Sequence, residues 1–236
     1  MRKFTCPSCG ADIIFQSGIT VSAVCPYCRS LVVRHDVNVE AIGKMAVLPY
    51  DVSPFQIGTQ GRYHNLAFSL AGRAKMGWED GCWNEWFMYT NRGDVGWLAE
   101  AQGSLAISFE KDPKTPPPST GQRKIDGSMN LWLAGVPALG ATLNVLGKVY
   151  VVTDVKNATV IGSEGELPFT AQQGKQRTSA DLMGNNGEFA SIEYNGDKVE
   201  KLNVGEYVEF DDLQFTNLRD LPGWNIRRTA TKGKHG

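Results

Sequence analysis

The sequence predicts a mostly β protein, with an N-terminal cysteine-rich ribbon followed by two related small antiparallel β barrels or sandwiches. Three observations predict it. Two C-x₂-C pairs, Cys6 with Cys9 and Cys25 with Cys28, open the chain. Beyond them, short strand-like runs recur at regular spacing, divided by turn signals such as Asn186-Gly187 and Asn195-Gly196. Long helical periodicity is missing, and only Asn130 to Ala134 reads as a single helical turn.

Residues 1–36 form the first unit. The C-x₂-C-x₁₅-C-x₂-C spacing suits one tetrahedral ion, because each short loop turns two thiolates to one side and two such loops close a four-sulfur cage. Cys6, Cys9, Cys25 and Cys28 are therefore the expected ligands of a structural Zn²⁺, and the unit reads as a zinc ribbon. Gly10 supports the turn by allowing positive φ after the second cysteine. The runs Ile13 to Gln16 and Ile19 to Val21 flank Ser17-Gly18, which reads as a hairpin joining the two halves. The alternatives are two disulfides or a rubredoxin-like iron. Met1 to Thr5 contains no apolar export stretch, so a reducing cytoplasm is expected, and there paired loops favour metal over disulfide. A site closed by four thiolates keeps no coordination position for a substrate, which makes the metal structural.

Residues 37–56 read as a linker, with strand-like alternation over Val37 to Ile42 and with Pro49 and Pro54 as brackets. A first β module spans 57–111, with turns at Glu79-Asp80-Gly81 and at Asn91 to Asp94. Residues 112–136 form a proline-rich linker or loop around Pro113 and Pro116 to Pro118. A second β module spans 137–222, with strand runs at Lys148 to Val152, Phe189 to Tyr194 and Tyr207 to Phe210. The basic tail, 223–236, is expected to be disordered. Trp83, Glu85, Phe87 and Tyr89 alternate with Asn84, Trp86 and Met88, so both faces of that strand carry large apolar groups and both should be covered. The second module is the favoured cover for one of them. The two modules also resemble each other, as tandem copies.

Composition bounds function. A net charge of −1 over 236 residues gives no general attraction to nucleic acid or to an anionic membrane. The basic residues Arg2, Lys3, Arg29 and Arg34 surround an anionic thiolate site and compensate its charge. Leu131 to Leu143 is the longest apolar stretch, but it contains Pro137 and is too short to span a bilayer, so an integral membrane protein is not expected. Among carboxylates near aromatic residues, Glu79, Asp80, Glu85 and Glu100 are the candidates for acid–base work. A structural pair between Glu85 and Arg73 across the sheet is the simpler reading. His35, His64 and His235 have neither metal-ligand nor triad spacing, and Cys82 reads as a buried, inert thiol. The Arg92-Gly93-Asp94 tripeptide is turn chemistry, the Asn157-Ala158-Thr159 sequon has no secretory route, and no glycine-rich phosphate loop opens a helix. No catalytic or further cofactor-binding residue is assigned.

Leu70-Ala71-Gly72-Arg73, Trp83-Asn84-Glu85-Trp86, Trp97-Leu98-Ala99-Glu100 and Glu164-Gly165-Glu166-Leu167-Pro168-Phe169 resemble the bacterial family known only as domain of unknown function 4178, over Pro54 to Leu218. The resemblance carries no established activity. Members are commonly encoded beside aminopropyltransferase-like proteins of polyamine synthesis and beside phage-shock-protein A-like scaffolds, which implies an accessory role in envelope stress or polyamine handling. The expectation is therefore a non-enzymatic accessory or interaction protein with a protein partner and no specific nucleic acid. The alternatives are a zinc-ribbon nucleic-acid binder, and an enzyme or enzyme subunit acting on a small cationic metabolite. An enclosed acidic pocket would favour a polyamine site, and a flat aromatic patch would favour a partner.

Overall fold

The structure, a computed structural model, describes residues 1–35, 37–48, 51–113, 129–130 and 135–222. Residues 131–134 of the expected helical turn, most of the proline-rich segment and the basic tail lie outside the described residues, and Asn130 is in a short strand. As expected from the sequence, the described chain is mainly β. Two hairpins begin it: β1 (Arg2–Thr5) with β2 (Asp12–Phe15), then β3 (Ser22–Val24) with β4 (Ser30–Arg34). β5 (Val39–Lys44) pairs with β4. Each C-x₂-C loop is thus the turn of its own hairpin, and Ser17-Gly18 connects the two hairpins instead of forming one. The physical reason is that a cysteine knuckle already reverses the chain, which leaves Ile19 to Val21 without a partner in β2.

The next strands are β6 (Gln60–Tyr63), β7 (Leu66–Trp78), β8 (Gly81–Thr90), β9 (Val95–Ala101) and β10 (Ser104–Lys111). After the two-residue β11 (Met129–Asn130) come β12 (Thr142–Val145), β13 (Lys148–Leu167), β14 (Gln176–Met183), β15 (Glu188–Asn195) and β16 (Lys198–Val208). The order repeats: a short strand, a tight turn, a long strand and three more strands. The tight turns place His64 and Leu146 in the left-handed region, at φ 49° and 51°. The two groups of strands close on each other: β10 pairs with β16, and β7 pairs with β13. The ring β7-β8-β9-β10-β16-β15-β14-β13 is antiparallel throughout. Closure removes the exposed edges that either group would have alone.

Both seams require bare backbone. Gly72 lies opposite Gly165, and a Cβ on Gly72 would stand 2.0 Å from the Glu166 carbonyl oxygen. At the other seam, Gly205 lies opposite Ser108, and its Cβ would stand 1.8 Å from the Ile107 oxygen. Two of the motifs that carry the family resemblance, Leu70 to Arg73 and Glu164 to Phe169, thus meet at one seam.

Strand alternation divides the side chains. The outer face of β7 to β10 buries Leu70, Trp86, Met88, Leu98 and Ile107 beneath Phe55 and Leu213. The outer face of β13 to β16 buries Val152, Ala180, Leu182, Ile192 and Leu202 against Leu143 and Val145 of β12. Inside the ring, Met76, Phe87, Ala158, Val160 and Leu167 form a third core that draws on both groups. Trp83 to Tyr89 is covered on both sides, as its alternation demands, with Trp86 and Met88 facing outward and Phe87 facing the interior shared with the second group.

Candidate metal centre and barrel cavity

The four cysteines expected as ligands come together. Their sulfur atoms all lie within 4.8 Å of one another, with Cys6 to Cys28 and Cys9 to Cys25 at 3.7 Å. A tetrahedral ion with metal–sulfur bonds of about 2.3 Å sets its ligands about 3.8 Å apart, so this donor set fits such an ion. The backbone builds the two knuckles alike: Gly10 donates its N–H to the Cys6 carbonyl, and Arg29 donates to that of Cys25. Both residues take positive φ, 78° at Gly10 and 59° at Arg29, so the second knuckle makes the same turn without glycine. Hydrogen bonding with the side chain and backbone of Ser30 holds the Cys28 pKa below its ordinary range. Phe15, Ile13, Ala23 and Val32 form a small separate core behind the cysteines.

Glu166 fastens this unit to the barrel. Its carboxylate accepts from the Gln16 N–H at 2.9 Å, the Ser17 N–H at 3.4 Å and the Thr20 hydroxyl at 2.8 Å. Burial pushes its pKa up against these bonds. Beside it, β3 pairs with the end of β13, matching Ala23 to Glu166 and Ser22 to Leu167. Glu166→Ala removes the acceptor of two backbone N–H groups and of the buried Thr20 hydroxyl, which keeps its bond to the Ser17 carbonyl, and is expected to cost about 2 kcal/mol. Chemical denaturation and limited proteolysis at residues 16–20 would show the loss; an unchanged unfolding midpoint would remove Glu166 from this role.

Three side chains differ from the sequence reading. Glu85 does not pair with Arg73. Across β7 and β8, Ala74 stands opposite Glu85 while Arg73 stands opposite Trp86, which puts the two charges on opposite faces. Arg73 lies outside the ring, bonded to Asp51 at 2.9 Å and Glu164 at 2.8 Å, with its guanidinium 4.8 Å from the Trp86 ring centre. Glu100 belongs to the same outer network, accepting from Ser53, Asn84 and Trp86 at 2.7, 3.0 and 3.0 Å. Cys82 is exposed, not buried, because β8 begins at the rim of the ring.

Inside the ring lies a feature that the sequence analysis missed. A cavity of about 200 Å³ takes lining residues from all eight ring strands. Small side chains make the space: Ala99, Ala106, Ser108, Ser179 and Ser191. Aromatic groups form much of the wall, from Trp78, Trp83 and Trp97 on one side to Phe189 and Tyr207 on the other. On the floor, Arg177 bridges Glu85 and Glu193, the latter at 2.8 Å, and the Trp83 indole N–H donates to Glu85 at 3.0 Å. Arg177 and Glu193 also line a second cavity, with Phe169 and Lys201.

A closed antiparallel barrel with a charged lumen, joined through its longest strand to a four-cysteine ribbon able to hold a metal ion, defines the class as a ribbon-bearing β-barrel protein. Residues 56–210 match the family model described as domain of unknown function (DUF4178), and the chain belongs to that family. No curated protein and no solved structure matches the chain. Among the described residues, no helix is long and apolar enough to cross a membrane.

Proposed function

We propose that this chain is a non-enzymatic, small-molecule-binding accessory protein whose ribbon is built around one structural zinc ion at Cys6, Cys9, Cys25 and Cys28. The observation that carries the binding reading is the cavity whose wall is drawn from every strand of the ring. Its size suits a metabolite, being below the several hundred Å³ of a drug-sized cleft. The chemistry of its floor favours holding over catalysis. Glu85 and Glu193 are both held in ion pairs by the one Arg177 guanidinium, which occupies the carboxylate oxygens that a general base would need free. Zinc is preferred over iron because its four-thiolate sites are characteristically structural.

The nucleic-acid alternative loses support at the ribbon, where cations are engaged locally. Lys3 pairs with Asp12 at 2.7 Å, and Arg34 donates to the carbonyls of Ser17 and Gly18.

A thermal-shift and calorimetric screen of small metabolites against the intact chain tests the proposal, with Ala99→Leu as the filled-cavity variant. Hits should raise the unfolding midpoint of the native chain and lose at least about tenfold in affinity in Ala99→Leu, a change of about 1.4 kcal/mol. Hits that bind Ala99→Leu equally well would place the ligand elsewhere and overturn the proposal.

A further inference from the structure

We propose that the barrel cavity takes a small organic cation, an amine bound as its ammonium by Asp181 and Asn203 among the aromatic walls. The inference rests on the reading of the cavity as a ligand site and names the charge of the ligand. Both cations of the inner wall are engaged: Arg177 between Glu85 and Glu193, and Lys156 with Asp154. The Lys156 ammonium also lies 4.4 Å from the Trp78 ring centre and 5.5 Å from that of Trp83. An anionic ligand would have to displace one of these pairs.

The acceptors are in the opposite condition. Asp181 faces inward from β14 directly opposite Asp154, a like charge, and makes no ion pair among the described residues. Ser191, its neighbour across β15, is its hydrogen-bond partner. Asn203, 7 % exposed, lines the same cavity with its Oδ1 buried and without a hydrogen-bond partner. The half-buried Asp181 carboxylate can accept beyond its bond with Ser191, the buried Asn203 oxygen lacks a donor, and an ammonium supplies several. The Arg177 Nε is a buried donor without a partner, but its guanidinium is already neutralised, so it suits a neutral oxygen on the ligand and not a second carboxylate. Indole and phenyl faces attract cations as well, and Lys156 already uses two of them in this way.

Burial raises the Asp181 pKa from 3.8 to about 6, against the hydrogen bond from Ser191. Glu85 on β8 and Asp154 on β13 push it in the same direction, and Lys156 on β13 opposes them. Arg177 on β14 and Tyr207 on β16 also feel the Asp181 charge. Since the raised value means that the proton is held up to about pH 6, the carboxylate is ionised above that pH and neutral below it. Amine binding should therefore be strong at pH 7.5 and weaken as the pH falls through about 6.

The test is calorimetry and tryptophan fluorescence on the intact chain with hexylamine, hexanol and hexanoate. These probes share a chain length and differ in charge. Hexylamine should bind at least about tenfold more tightly than hexanol, the size of one charge-assisted hydrogen bond, and hexanoate should not bind. In Asp181→Asn, which retains a hydrogen-bonding side chain opposite Ser191, the preference for the amine over the alcohol should vanish along with the pH dependence. Hexanol or hexanoate binding as tightly as the amine, with loss in Ala99→Leu, would overturn the charge assignment and keep the binding site. An amine preference that survives in Asp181→Asn would also overturn it. If no probe of any charge binds, both the charge assignment and the binding reading fail.

Discussion

Gly205→Ala is expected to prevent closure of the barrel. The new methyl would stand 1.8 Å from the Ile107 carbonyl oxygen and 2.7 Å from the Ser108 Cα, and both are backbone atoms in the paired strand β10. A side chain could rotate away from such a contact, but a hydrogen-bonded strand can move only by giving up its pairing. The cost should exceed about 4 kcal/mol, a large share of the stability of an ordinary domain. Gly43→Ala is the control, since nothing lies within 4 Å of the added carbon and the backbone there does not need positive φ. Soluble yield and urea denaturation of the two variants would decide the matter. A Gly205→Ala protein within about 1 kcal/mol of the parent would mean that β10 and β16 do not meet as described.

Cys25→Ser is expected to abolish stoichiometric zinc binding and to unfold the ribbon while the ring stays folded. Metal binding at such sites couples to folding by about 10 kcal/mol, because the unfolded chain offers no preformed site. The ribbon core contains only a few apolar groups besides the cysteines, whereas the three barrel cores are separate from it. Elemental analysis should find one zinc per chain in the parent and much less in the variant. Near-ultraviolet circular dichroism should still report buried tryptophan. One full equivalent of zinc retained in Cys25→Ser would refute the ligand assignment, and zinc lost in Cys82→Ser would show that the exposed rim cysteine had been misjudged.

The metal-ligand candidates and the β class were legible because their signals are local. Two knuckles at fixed spacing and the glycine after Cys9 need no knowledge of the rest of the chain. The lumen was not legible, for a physical reason visible in β14. Arg177, Ser179 and Asp181 alternate with Thr178, Ala180 and Leu182, a pattern that commonly marks a sheet with one wet face. A polar lumen produces the same alternation, and period two cannot tell an inward polar face from an outward one. The partner of Glu85 was hidden similarly. Arg73 is close in sequence and sits on the adjacent strand, but a residue-by-residue register, including the bulge between Leu70 and Gly72, decides which face it shares. Arg177 reaches Glu85 only because the ring closes.

Closure between the two groups of strands also bears on how the chain reaches its native state. During synthesis β7 to β10 emerge before β13 to β16, so residues 72–77 of β7, beyond its pairing with β6, and the outer flank of β10 must wait for β13 and β16. Contacts this distant in sequence slow folding, and the waiting edges are templates for any other strand. Two nascent chains can satisfy each other by exchanging complementary halves, producing an intertwined dimer with every native pairing intact. Refolding at high protein concentration should therefore yield such dimers, and dilute refolding should yield monomer, with the ratio set by the rate at which one chain's β16 finds its own β10.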